Sequence, residues 1–211
     1  MNLKNKKLLI TTIIFFLIIN TTYYWEGKFG FFAFPAFFIL MFVYFGLAIV
    51  FIVQIYFAVE EKLTNKPRLL TIGLLTIVLV LTFFKPYGLV DFDKLQGDDI
   101  LIAGREGVAS CMTTLKLKDN FTFRETNICF GVTEVKGKFH LQNDTIYFDN
   151  VNIGRHKKEF YEFAIVKPSR FNQDGKHFDL IRYKNLTDTI GDGLWITKNE
   201  LYKLKNKKPN R

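Results

Sequence analysis

Residues 29–59 contain no Asp, Glu, Lys or Arg, and ten of these 31 residues are Phe. No soluble globule has a use for an uncharged run of this length. As one helix it would measure roughly 46 Å at 1.5 Å per residue, more than a hydrocarbon core about 30 Å thick requires. It predicts a tilted transmembrane helix, begun or kinked at Pro35, and it excludes intrinsic disorder.

Two shorter apolar stretches flank it. Residues 8–25 are uncharged and end on Tyr23, Tyr24 and Trp25, rings that suit a membrane–water interface. Lys4, Lys6 and Lys7 precede this stretch, as in a signal peptide, but no small-x-small cleavage site follows, so a retained signal-anchor is the better reading. Residues 69–86 form the third span, with Lys85 placed to snorkel and Tyr87 to sit at the interface just beyond it. The expected organisation is a transmembrane region over 1–90 with spans at about 8–25, 29–59 and 69–86, and a folded domain over 91–211. Gln54 either bonds a neighbouring helix or marks a solvated helix end.

Loop charge orients the helices. The tail has three Lys, the first loop only Glu26 and Lys28, and the second loop Lys62, Lys66 and Arg68 beside Glu60 and Glu61. The positive-inside rule puts the tail and the second loop in the cytoplasm of a multi-pass inner-membrane protein. Three spans then place the folded domain outside, and an even number would place it inside. The apolar stretches 8–25, 29–59 and 69–84 lack charge, which argues against a transporter.

From residue 97 the apolar period becomes two. In 111–118, Leu115 and Leu117 alternate with Lys116 and Lys118, so the lysines are expected on the solvent face. Residues 121–124, 135–141, 145–148, 159–167 and 177–184 read likewise as strands, with Phe123 and Phe139 inside and Arg124 and His140 outside. Segments 99–103 and 193–197 complete seven or eight strands, and Asp119–Asn120, Asn143–Asp144 and Asp174–Gly175 make the turns. Up-and-down closure into a small antiparallel barrel removes exposed edges. The fold class is therefore membrane α followed by soluble all-β, with a short helix over 199–208 bearing a basic tail.

The sequence has little catalytic chemistry. His140, His156 and His177 share no metal-ligand spacing, and there is no phosphate loop, nucleophile elbow or paired-Cys motif. No enzyme activity, metal or cofactor is expected. Arg182 is the informative residue: it is in phase with Phe178 and Leu180, and an Arg on an apolar face must find a partner. It reaches water at a strand end or binds an anion at the barrel mouth. Arg105 lies in the turn 104–107, and Tyr147, Tyr161 and Tyr183 could stack on a base or ring. These five are the candidate ligand residues. Cys111 and Cys129 form a disulfide if the domain is extracytoplasmic and stay reduced otherwise.

Apolar helices over 8–84 followed by a β domain over 97–201 resemble the membrane effectors of CBASS anti-phage systems that join transmembrane helices to a minimal β-barrel. That resemblance implies a cytoplasmic barrel that binds a cyclic nucleotide second messenger and assembles into a homo-oligomer, while the helices disrupt the inner membrane and kill the infected cell. No direct DNA or RNA binding is expected. The pattern over 137–148 also looks like lipocalin-like envelope barrels, which implies a membrane-tethered protein holding a small ligand or a partner protein.

Overall fold

The computed structural model describes residues 3–153, 159–169 and 177–204. The chain divides into two compact units, one of apolar helices and one built on a barrel, and the segment Glu26–Phe31 belongs to the barrel unit.

Four helices occupy the first 84 residues: α1 (Leu3–Asn20), α2 (Thr22–Phe29), α3 (Ala33–Glu60) and α4 (Lys66–Phe84). Of these, α3 and α4 are each long and apolar enough to cross a membrane. The stretch 8–25 is divided between α1 and α2, which meet at 70°. Side chains at the junction explain the break. The Asn20 amide donates to the Phe16 carbonyl at 2.8 Å, and the Thr21 and Thr22 hydroxyls donate to those of Leu17 and Ile19 at 2.8 and 2.7 Å. Such bonds compete with the helical ladder. Gly30, at φ +54°, then ends α2 with a left-handed turn.

The loop 61–65 is shorter than the charge pattern suggests, because Lys66 and Arg68 already lie in the first turn of α4. Asn65 caps that turn, its side-chain oxygen accepting from the Arg68 N–H at 3.3 Å. Arg68 pairs with Glu61 at 2.9 Å and donates to Gln54 at 3.2 Å, so Gln54 joins two helices of one chain. Phe15, Ile19, Leu47, Leu75, Val78 and Leu79 form the buried core of the helices. Phe34, Phe37, Phe42 and Phe45 of α3 are each more than half exposed. A helix that turns its largest apolar rings outward is built for lipid rather than water.

The second unit is a closed antiparallel barrel of eight strands in sequence order: β1 (Asp99–Glu106), β2 (Met112–Lys118), β3 (Thr122–Ile128), β4 (Val132–Gln142), β5 (Thr145–Asn152), β6 (Phe163–Pro168), β7 (Phe178–Tyr183) and β8 (Asp192–Asn199). The meander closes because β1 pairs with β8 as well as β2. At the β4–β5 hairpin, Asn143 and Asp144 both take positive φ, as a two-residue turn of matching twist demands. Alternation directs Leu115, Leu117, Phe123, Phe139, Ile146, Leu180 and Leu194 into a buried core. The expected tail helix appears as a 3₁₀ turn, Leu201–Leu204. His156, Asp174–Gly175 and the basic residues after 204 lie outside the described residues.

Two pieces of chain pack on the outer wall. The single-turn helix α5 (Phe92–Leu95) covers β2 and β3. Lys116 and Lys118, expected in solvent, do face outward but meet α5 instead. Lys116 reaches Asp93 at 2.6 Å, and Lys118 is buried, donating to the Asp93 carbonyl at 2.8 Å and to Asp99 at 2.9 Å. Arg124 joins Asp93 and Glu134 on the same wall. Burial alone would raise the Asp93 carboxyl, but the Lys116 hydrogen bond and the charges of Lys116, Lys118 and Arg124 hold it at about 2.

The other piece is Glu26–Phe31, in which Gly30 forms an antiparallel bridge with Val132 at the start of β4. Two glycines make the approach possible. A Cβ on Gly131, at φ +156°, would lie 2.3 Å from the Gly30 carbonyl oxygen, and a Cβ on Gly27 would lie 2.4 Å from the Glu134 side chain. Burial, with Glu134 beside it, raises the Glu26 carboxyl above its ordinary range although Arg124 opposes the shift.

Candidate functional site

The barrel has two unlike ends. One carries the β2–β3 and β4–β5 turns and the start of β1, and is called here the Asn143 end. The other carries the β1–β2, β3–β4 and β7–β8 connections, and is called the Phe130 end. Leu180 and Arg182 alternate inward on β7, the first into the apolar core and the second toward the Phe130 end. Glu125 follows Phe123 inward on β3 in the same way. Arg182 and Glu125 form an ion pair in which the two side chains are 2% and 1% exposed.

Asp192, opposite Arg182 in the β7–β8 register, is its second carboxylate partner and also pairs with Arg105. Tyr161, just before β6, donates its hydroxyl to Asp192 at 2.7 Å, and the Arg182 guanidinium carbon lies 4.3 Å from the Tyr161 ring centroid. The Nε of Arg182 is buried without a hydrogen-bond partner among the described residues. The result is a mouth of two guanidinium groups, two carboxylates and one phenol.

Burial raises the Tyr161 phenol; the Arg182 charge opposes this, but the Asp192 hydrogen bond and carboxylate charge add to the rise, carrying it to about 12. Burial pushes the Asp192 carboxyl up, but the Tyr161 hydrogen bond and the charges of Arg182 and Arg105 hold it below its ordinary value. At neutral pH the phenol therefore stays a donor and the carboxylate stays charged. Such a cluster orders side chains, and each guanidinium in it is already paired with a carboxylate.

Of the five candidate residues, the structure brings Arg182, Tyr161 and Arg105 together. Tyr147 and Tyr183 turn to the outer face. Tyr147 stacks on His140 at 5.2 Å between ring centroids, with the His140 Nδ1 at 2.5 Å from Asp149. Tyr183 stacks on Phe163 at 5.1 Å and accepts a hydrogen bond from Lys167 at 2.8 Å. Tyr147 lies between the inward Ile146 and Phe148, and Tyr183 follows the inward Arg182, so strand alternation excludes both tyrosines from the mouth. Glu125 and Asp192 were not singled out by the sequence reading. The phase that selects Arg182 also selects Glu125, a charge in step with Phe123.

Cys111 and Cys129 are joined by a disulfide at the Phe130 end, linking the approach to β2 with the exit from β3 across a Cα separation of 4.5 Å. At the Asn143 end, a cleft of about 860 Å³ is lined by residues including Phe121, His140, Leu141, Ile165, Leu201 and Tyr202. No protein-family model, curated protein or solved structure matches the chain.

Proposed function

We propose that the protein is a membrane-anchored binding module whose barrel stands on the extracytoplasmic side. The bridge between Gly30 and Val132 carries this reading. It ties the residues immediately before α3 to the barrel, so that end of α3 is on the barrel's side of the membrane. If α3 and α4 both cross, the chain returns to that side, and the loop 61–65 is left on the other. Lys62, Lys66 and Arg68 at that loop then define the cytoplasm, whether or not α1 crosses as well. The disulfide agrees, because such bonds persist in oxidising compartments. The barrel's role in this reading is to hold a neighbouring envelope protein or a small ligand, for which the cleft beside Phe121 and Tyr202 offers space.

A second reading, the CBASS-like effector, is favoured by the gathering of Arg182, Arg105 and Tyr161 at one mouth in a chain that also carries apolar helices. There a cyclic nucleotide would stack on Tyr161 and take guanidinium donors from Glu125 or Asp192. The barrels would then associate, and α3 would perturb the bilayer. This reading requires a cytoplasmic barrel.

Cysteine labelling in intact cells separates the two. With a membrane-impermeant maleimide, Asp144→Cys on the barrel should react at once and Leu63→Cys only after permeabilisation. The reverse pattern, with nucleotide binding lost in Arg182→Ala, would replace the first reading by the second.

A further inference from the structure

We propose that the Phe130 end of the barrel rests on the bilayer, with its apolar loop tips in the lipid interface. Three separate connections at this end expose large apolar side chains. Val108 in the β1–β2 connection is 91% exposed, Phe130 in β3–β4 is 66% exposed, and Leu186 and Ile190 in β7–β8 are 86% and 78% exposed. Trp195, on the outer wall of β8, is also more than half exposed, and Trp is a residue of membrane interfaces. Among the described residues, the two hairpin turns at the opposite end, Asp119–Asn120 and Asn143–Asp144, are polar, and an exposed large apolar side chain there, Tyr202, ends in a hydroxyl. A soluble surface has no use for four apolar residues on one rim of a barrel.

Chain continuity identifies the occupant as lipid. Gly30 bridges Val132, one residue beyond the Phe130–Gly131 turn, and α3 begins at Ala33. Three residues span at most about 11 Å. The rim is therefore tethered within a short reach of the point where α3 enters the bilayer. The second connection agrees. Between Phe84, where α4 ends, and Asp99, where β1 begins at the far end, lie fourteen residues. Even partly extended they cover the roughly 26 Å height of an eight-residue strand, and α5 fastens them to the outer wall on the way. This connection is therefore long enough for β1 to start at the end away from the membrane. The proposal needs α3 and α4 to cross the membrane but does not depend on which side the barrel occupies.

The test uses the full chain in lipid nanodiscs. An environment-sensitive fluorophore is attached at Leu186→Cys, Ile190→Cys or Asp144→Cys in turn; Cys111 and Cys129 are occupied by their disulfide. Labels at 186 and 190 should emit further to the blue than the label at 144, and spin-labelled lipids should quench them at least three-fold more strongly. Aqueous iodide should quench them several-fold less. Equal quenching at 186 and 144 would overturn the proposal. A blue-shifted label at 186 that ignores spin-labelled lipid would also overturn it, since that outcome means the rim is covered by protein, such as a second copy.

Discussion

Removing Arg182 should cost the barrel more than removing both members of its buried ion pair. In Arg182→Met, Glu125 keeps its charge at 1% exposure but loses the guanidinium facing it. Breaking a buried pair from one side typically costs about 3–5 kcal/mol. In Glu125→Leu, Arg182 keeps a second carboxylate, the partly exposed Asp192, so the loss should be about 1–3 kcal/mol. In the double variant Arg182→Met, Glu125→Leu both charges leave together, and Asp192 still has Arg105 and Tyr161. Its cost should stay within about 2 kcal/mol, giving a coupling of about 2 kcal/mol or more. The assay is urea unfolding of the full-length protein in detergent, followed by Trp195 emission in a Trp25→Phe background. With a urea slope of about 2 kcal/mol per molar, Arg182→Met should lower the midpoint by about 1.5–2.5 M. A loss under about 1 kcal/mol for Arg182→Met, or a double variant that costs the sum of the singles, would refute the buried-pair account.

Reduction of the Cys111–Cys129 bond, which closes a loop of 18 residues in sequence, should lower barrel stability by about 3 kcal/mol in the chain-entropy account, seen as a drop in urea midpoint when reductant is added. The Asp93 carboxyl, held at about 2 in the folded state, lies below its unfolded value near 3.9. The shift corresponds to about 2.6 kcal/mol at most, about 1–2 kcal/mol once discounted for partial solvent screening; this contribution is complete above about pH 5 and is lost as pH falls toward about 2, and Asp93→Asn should flatten that part of a stability–pH curve. Gly131→Ala would place a methyl group against the Gly30 carbonyl, so amide exchange across 26–31 should accelerate at least ten-fold while the β6–β7 ladder keeps its protection.

The barrel was legible because alternation needs only side-chain polarity. Leu115, Phe123 and Phe139 each sit in phase with the rest of their strand, and all three are buried. The Asn143–Asp144 turn carries residues that tolerate positive φ, so it too could be read locally. What escaped was non-local. Nothing near Lys116 or Lys118 announces that Asp93, about two dozen residues earlier, will cover them. Arg182 stood out as a charge in phase with a core, but its partner Glu125 lies 57 positions away, and no local pattern couples them. The break in 8–25 was written in Asn20, Thr21 and Thr22. Their effect depends on hydroxyls and an amide finding carbonyls three or four residues back.

The Gly30–Val132 bridge also imposes a timetable. The two partners are separated by about one hundred residues, and ribosomes add about 5–20 residues each second. For some 5–20 seconds after Glu26–Phe31 emerges, its docking surface on β4 does not yet exist. In that interval α3 and α4, the two helices long and apolar enough to cross a membrane, are synthesised. β4 must then pair with β3 before the bridge can form. Barrel closure comes later still, when β8 reaches β1. A nascent chain therefore presents an unsatisfied edge at Gly30 throughout helix insertion, and it is the stage at which a chaperone or insertase has the most to protect.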